Sequence, residues 1–195
     1  SAKAPRRSGQ LTANVRPQMQ TISRASPSDL DPLIGRAVDA SFQAEGYWHF
    51  FVALRCSNGQ SIVVGTEEVG IAKYFEVFPV TVRLEESEQR DWKIIEGAGT
   101  VRNVRLLWRD EWLEPTEPHP ELVGSAPHYC HSAGRGPAPA NAVEYVRVQA
   151  GVEFLLSSGK SIIVHASNTA PLNVEIAVTP SEVKNALSAF NPTEA

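Results

Sequence analysis

The chain predicts a mainly β fold: antiparallel sheets built from two repeated strand-hairpin-strand units, with a short C-terminal helix. Three observations predict it. The stretch Val52-Ala53-Leu54-Arg55-Cys56-Ser57-Asn58-Gly59-Gln60-Ser61-Ile62-Val63-Val64 returns one hundred positions later as Val152-Glu153-Phe154-Leu155-Leu156-Ser157-Ser158-Gly159-Lys160-Ser161-Ile162-Ile163-Val164. Apolar residues alternate ahead of each turn, Val52, Leu54 and Cys56 in one copy and Val152, Phe154 and Leu156 in the other. A period of two marks a strand with one buried face. Second, Asn58-Gly59 and Ser158-Gly159 tolerate the positive φ that a tight hairpin turn requires. Third, Thr179-Pro180-Ser181-Glu182 reads as N-cap, proline at the first helical position and an acid at the third, which is a capping box. Val183, Leu187 and Phe190 then share one helix face before Asn191-Pro192 ends it.

Residues 1–27 are expected to form a basic, flexible tail. From Ser1 to Ser28 there are five basic residues and no acid, leaving 13 Lys and Arg against 22 Asp and Glu in the remainder. Such a Pro-, Ser- and Arg-rich stretch buries too little apolar surface to order itself. Its solvated form is the expectation, and a nucleic-acid-binding arm and a transit-peptide remnant are the alternatives.

Residues 28–195 are expected to form a single globular domain: repeat unit one over 36–83, an insertion over 84–141 and repeat unit two over 142–190. Ser28-Asp29-Leu30-Asp31 opens it as a capped helical turn that Gly35 stops. A strand over Arg36 to Phe42 then leads through a turn to the first hairpin. Tyr47, Trp48, Phe50 and Phe51 gather at its entrance. They read as packing residues, with a base- or sugar-binding platform as the alternative. Phe50 is in phase with Val52 and Leu54, whereas His49 and Arg55 are in the opposite phase. Around the hairpins, Val38-Asp39-Ala40-Ser41-Phe42 is matched with Val143-Glu144-Tyr145-Val146-Arg147, and Phe75-Glu76-Val77 with Val174-Glu175-Ile176.

The insertion has no expected counterpart. Leu84 to Trp92 reads as a short acidic helix or solvated loop, and Val101 to Trp108 as a strand. Across Arg109 to Pro115, Asp110 and Glu114 are expected on one face of a helical turn. Pro115 to Asn141 is Pro-rich and long enough to be a lid or a partner-binding loop.

Composition narrows the chemistry. With 195 residues, 42% hydrophobic and 21% charged, the chain can build one substantial core or two small ones. No apolar run approaches the roughly 20 residues that span a bilayer, so no membrane partner is expected. Cys56 and Cys130 do not make a disulfide framework, which fits a reducing compartment, and a cytoplasmic location is the expectation. Neither a G-x-S-x-G elbow nor a P-loop is present, and no catalytic residue or cofactor is assigned. His128, Cys130 and His131, with His119 upstream, are soft ligands whose spacing fits no standard zinc site, so no metal is assigned to them. A Cys130 thiolate with His119 or His165 as base lacks an orienting acid.

Charge supplies the functional expectation. The insertion concentrates acids, and such a field steers a cationic protein. The chain is therefore read as a non-enzymatic protein-binding module, an inhibitor or immunity protein that neutralises a basic partner. Glu85, Glu86, Glu88, Asp110, Glu111, Trp112 and Glu114 are the expected contacts, and nucleic acid is a partner only through the basic tail. The alternative is a small-ligand-binding protein or enzyme with a site between the two repeats under the 115–141 loop, drawing on His119, His128, Cys130, His131 or His165.

Overall fold

Alternation of buried and exposed residues sets the strand boundaries in the computed structural model, which describes residues 19–44, 50–73, 75–116, 128–167 and 172–191. In chain order these are β1 (Gln20–Ile22), α1 (Pro27–Leu30) continuing into a 3-10 turn (Asp31–Leu33), β2 (Val38–Gln43), β3 (Phe51–Cys56), β4 (Gln60–Thr66), β5 (Val69–Ala72), β6 (Phe75–Val77) and β7 (Val80–Glu86). There follow β8 (Lys93–Ile94), β9 (Val101–Thr116), β10 (His128–Gly134), β11 (Glu144–Leu156), β12 (Ser161–Ala166), β13 (Val174–Ala177) and α2 (Pro180–Ser188). Among the described residues no helix is long and apolar enough to cross a membrane.

The two hairpins form in the same register. Val52 faces Val64 and Leu54 faces Ile62 in β3 and β4, as Val152 faces Val164 and Phe154 faces Ile162 in β11 and β12. Their turn glycines, Gly59 and Gly159, have φ of 81° and 82°, the left-handed region that a Cβ disfavours. One sheet runs β7-β4-β3-β2-β8; the larger runs β10-β9-β11-β12-β13, with β1 pairing parallel to β11. The apolar face of each hairpin meets the other across one core, where Leu54, Ile62 and Val64 pack with Phe154, Ile162 and Val164. Burying each such side chain is worth about 1.5–3 kcal/mol.

The larger sheet has a second core on its back. There Leu107, Val146, Val148 and Ile163 pack under Phe75 and Val77 of the β5–β6 hairpin and under Ala186 and Phe190 at the end of α2. A register shift between Gln149 and Gly151 bends β11 at the point where it changes partners, as β-bulges do. Gly151 relieves crowding there, because a Cβ would stand 3.0 Å from Phe190, 3.1 Å from His165 and 3.3 Å from Leu107, and these side chains would have to give way. The helix begins as expected: Thr179 N–H donates to Glu182 Oε2 at 3.0 Å, and Glu182 N–H reaches Thr179 Oγ1 at 3.4 Å.

Several expectations are corrected. Val143 to Arg147 is not a separate strand matching β2; it leads into and forms the first half of β11, whose second half is the hairpin strand. The counterpart of β2 is β9, since each lies antiparallel beside the first hairpin strand of its unit. It falls in the stretch read as an unmatched insertion. Likewise, β13 corresponds to β7 and not to β6, because β7 and β13 flank the second hairpin strands while β6 pairs only with β5. Leu84 to Trp92 is not a helix: β7 runs on to Glu86, and a loop follows. The stretch from Arg109 to Pro115 is strand rather than helical turn. Residues 20–22 of the expected tail pair with Val146, Arg147 and Val148. The helical turn starts two residues earlier than expected, at a Ser26 cap whose N–H donates to Asp29 Oδ2 at 2.8 Å.

Candidate functional site: charged groups beneath an open sheet edge

β9 is long because it serves two partners, β11 along its inner side and β10 along the outer side of its second half. Alternation sends Leu107, Arg109, Glu111 and Leu113 to the back of the sheet, into the second core. Two of those positions are charged. Arg109 and Glu111 are buried, and the carboxylate is only 1% exposed. A lone buried charge costs several kcal/mol, so it persists only where partners satisfy it. Arg109 Nε donates to Glu111 Oε1 at 2.7 Å, and Arg109 Nη1 donates to the Ala166 carbonyl at 2.9 Å. The other carboxylate oxygen lies 2.8 Å from His131 Nε2, reaching in from β10. Phe75 stands edge-on to the His131 ring, 5.0 Å between centroids.

The balance of effects on Glu111 favours its charge. Burial pushes the carboxyl upward, but the His131 hydrogen bond and the Arg109 guanidinium outweigh it and hold the group below its usual range. His165, on the same back face, is pushed down by burial; its ring stands edge-on to Phe190 at 5.8 Å, and its Nδ1 lies 3.1 Å from the Ala166 carbonyl. On the opposite face of β9, Asp110 is fully buried and takes Arg147 Nε at 2.9 Å. Burial, followed by the neighbouring Asp110 carboxylate, raises the Tyr145 phenol. Glu153, also buried, takes Arg105 Nη2 at 2.5 Å and the Ser161 hydroxyl at 2.8 Å.

The acids read as one partner-binding field are therefore divided. Asp110 and Glu111 are interior groups engaged with arginines, which removes them from any contact surface. Trp112 is half-buried against Gly134, and Glu114 accepts from Ser132 Oγ at 3.3 Å. Glu85, Glu86 and Glu88 remain outside on the smaller sheet and its following loop, with Glu85 paired to Arg83 and Glu88 to Arg90 at 2.7 Å. Glu117 and Glu121 lie outside the described residues.

The candidate ligands are divided too. Along β10, His131 turns to Glu111, whereas Cys130 lies opposite Glu114 on the other face and approaches Ser132 at 3.8 Å. Among the described residues no three His, Cys, Asp or Glu side chains converge as a metal site. His165 sits under α2, and His119 lies outside the described residues. The facing sides of the two sheets meet as apolar core among the described residues, and residues 117–127 of the loop expected to cover the alternative site lie outside them.

Two features were not legible beforehand. One is an aromatic and arginine cluster on the outer face of the smaller sheet: Arg90 lies over Phe42 and Phe51 at 5.1 and 4.9 Å, and Arg55 over Trp92 at 5.6 Å. It fastens the loop after β7 to β2 and β3, and only proximity in space reveals it. Tyr47, Trp48 and His49, which the sequence placed beside it, lie outside the described residues. The other is the edge of the larger sheet. β10 closes one end of the strand order with Tyr129, Cys130 and His131 exposed, and it covers β9 only from Asp110 onward.

Comparison with protein-family models, with curated proteins and with solved structures gives no match.

Proposed function

We propose that the chain is a non-enzymatic protein-binding module. Its more specific form is an inhibitor or immunity protein that neutralises a partner by covering it. One observation carries the reading: the buried charges of the larger sheet are engaged with one another, while the sheet's outer edge, along β10 and the middle of β9, is left without a strand partner among the described residues. A catalytic carboxylate or histidine must reach a substrate, but Glu111 and Asp110 are engaged inside the sheet. An open edge, by contrast, offers a row of backbone donors and acceptors on which a partner can add a strand. The surface acids Glu85, Glu86 and Glu88 contribute rim charge, and their local arginine partners weaken the steering of a basic protein.

The test is affinity capture with the full chain as bait, repeated at low and high salt, followed by reconstitution with the purified captured protein. A stoichiometric complex that suppresses the captured protein's own activity supports the inhibitor form. A complex without suppression retains the binding module and removes the inhibitor. Failure to form any stoichiometric complex overturns the reading.

A further inference from the structure

We infer that the gap in the outer edge of β9, between Val101 and Asp110, receives a short extended segment of a partner protein in which apolar and acidic residues alternate. The inference rests on the binding-module reading and names its site.

The gap is defined by what closes its ends. Val101 N–H donates to the Arg36 carbonyl and the Val101 carbonyl accepts from Gly35 N–H, both at 2.8 Å. From Asp110 onward the edge is paired with β10. Within the gap, the Trp108 carbonyl points outward and accepts Asn191 N–H at 2.7 Å. The Val104 N–H is turned to its neighbour's side chain, Asn103 Oδ1, at 2.8 Å. Backbone groups in an antiparallel strand alternate sides every residue, and the register shift between Val101 and Asn103 changes the phase once, so that the alternation is counted back from Trp108. Leu106 N–H and C=O, and the Val104 carbonyl, therefore face outward between these anchors, with no partner among the described residues. At about 3.3 Å per residue, the opening fits roughly five residues of extended chain.

The opening is also a groove. β9 forms one wall with Val104, Leu106 and Trp108, and the helical turn forms the other with Pro27, Leu30 and Ile34, around a volume of about 410 Å³. Ile34 is 47% exposed although apolar. Three other edges are protected, unlike β10: β7 carries Arg83, Glu85 and Glu86, and β8 and β13 span two and four residues. Charged and short strands are the usual means of keeping an edge unpaired. β9 is a long strand, and its arginines near Leu106, Arg102 and Arg105, turn to the face away from the groove.

The faces of β9 dictate the occupant's chemistry. Val104 and Leu106 lie on the face that packs toward the core between the sheets, so an added strand places apolar side chains beside them, against Ile34. Arg102 is exposed toward the other face, beside Arg105, which is 40% exposed and already holds Glu153. Alternate residues of the added strand reach that face, where acids complement the guanidinium groups. Asp31 is in the groove's far wall, on the apolar side, and disfavours a second acid there.

The test uses the full, isotope-labelled chain titrated with two peptides, Glu-Val-Glu-Val-Glu and Lys-Val-Lys-Val-Lys, with backbone amide shifts read by NMR. Saturable shifts at Leu106, Trp108 and Ile34, with a Kd near or below about 1 mM and at least about tenfold weaker binding of the lysine peptide, are expected. Leu106→Pro removes the outward N–H at a position where an edge strand accepts proline, takes away part of the apolar groove wall, and should abolish those shifts. Should that variant misfold, Ile34→Glu introduces the obstructing charge at an exposed position. Shifts confined to β10, equal binding of both peptides, or no saturation in the folded protein would overturn the inference. If a captured partner binds Leu106→Pro as tightly as the parent chain, this site is wrong while the binding-module reading stands. If the peptide saturates the groove and no partner is captured, the reading fails and the groove remains.

Discussion

His131 reaches diagonally across the β9–β10 ladder to Glu111: its register partner is Leu113, yet its Nε2 lies 2.8 Å from Glu111 Oε2. The bond fastens an edge strand to a buried ion pair, so the order of β10 depends on a carboxylate that never meets solvent. Glu111→Gln should cost about 3–5 kcal/mol, because it leaves the Arg109 guanidinium buried without its counter-charge. Replacing both partners, Arg109→Met with Glu111→Leu, should recover most of that loss. Urea unfolding of the two variants checks this, and equal destabilisation by both would refute the charge argument.

Acidification should weaken the fold in two windows. His165 has its folded pKa lowered by burial from 6.5, so the unfolded chain takes up that proton first, and stability begins to fall near pH 6.5 and is lost progressively down to the folded pKa. Glu111 has its folded pKa depressed from 4.5 by His131 and Arg109 against the opposing effect of burial. Its contribution is therefore complete above about pH 4.5 and lost as pH falls through the folded value. Subtracting the urea-derived stability profile of His165→Gln from that of the parent isolates the upper window; a flat difference between pH 6.5 and 4.5 would show that His165 takes up its proton as readily folded as unfolded.

The repeated hairpins make a paired prediction. Gly59→Ala and Gly159→Ala each force a Cβ into a left-handed backbone with open space around it, so each should cost about 1–2 kcal/mol and the two should agree. Gly151→Ala fails for a different reason, contact with Phe190, His165 and Leu107, and should cost about 1–3 kcal/mol. Adding Phe190→Leu to Gly151→Ala should then cost less than the sum of the two single changes. Strict additivity would place the strain elsewhere.

These glycines also show what the sequence could and could not convey. Gly59 and Gly159 were legible because a turn is local and its φ requirement falls on one residue. Both hairpins, their register and the capped helix follow from patterns of two to four residues. Gly151 gave no such signal, since its constraint comes from Phe190, about forty residues later in sequence. The acidic run from Arg109 to Glu114 misled for the same reason. A solvated helix face and a buried, arginine-paired strand can carry the same carboxylates, and only the partners, Arg147 and His131, distinguish them. The match of Val38–Phe42 to Val143–Arg147 failed because alternation identifies a strand without naming its neighbour. The open edge at Leu106 was not readable at all, because it is defined by where β10 stops.

Helix α2 should be the first element of the larger sheet's back to open. Its buried anchors lie toward its end, Ala186 within it and Phe190 two residues past it, while its start is held by the Thr179 and Glu182 exchange of hydrogen bonds. Thr179→Ala removes the acceptor of Glu182 N–H and should cost about 1 kcal/mol. Phe190→Ala empties a fully buried ring site and should cost about 3–5 kcal/mol. The two act on one helix from opposite ends, so hydrogen exchange separates them. Thr179→Ala should speed exchange of the first-turn amides alone, whereas Phe190→Ala should also expose the amides of β12 beneath the helix. If both variants release the same amides by the same factor, α2 and β12 open as one cooperative unit, and the helix is not the weaker element.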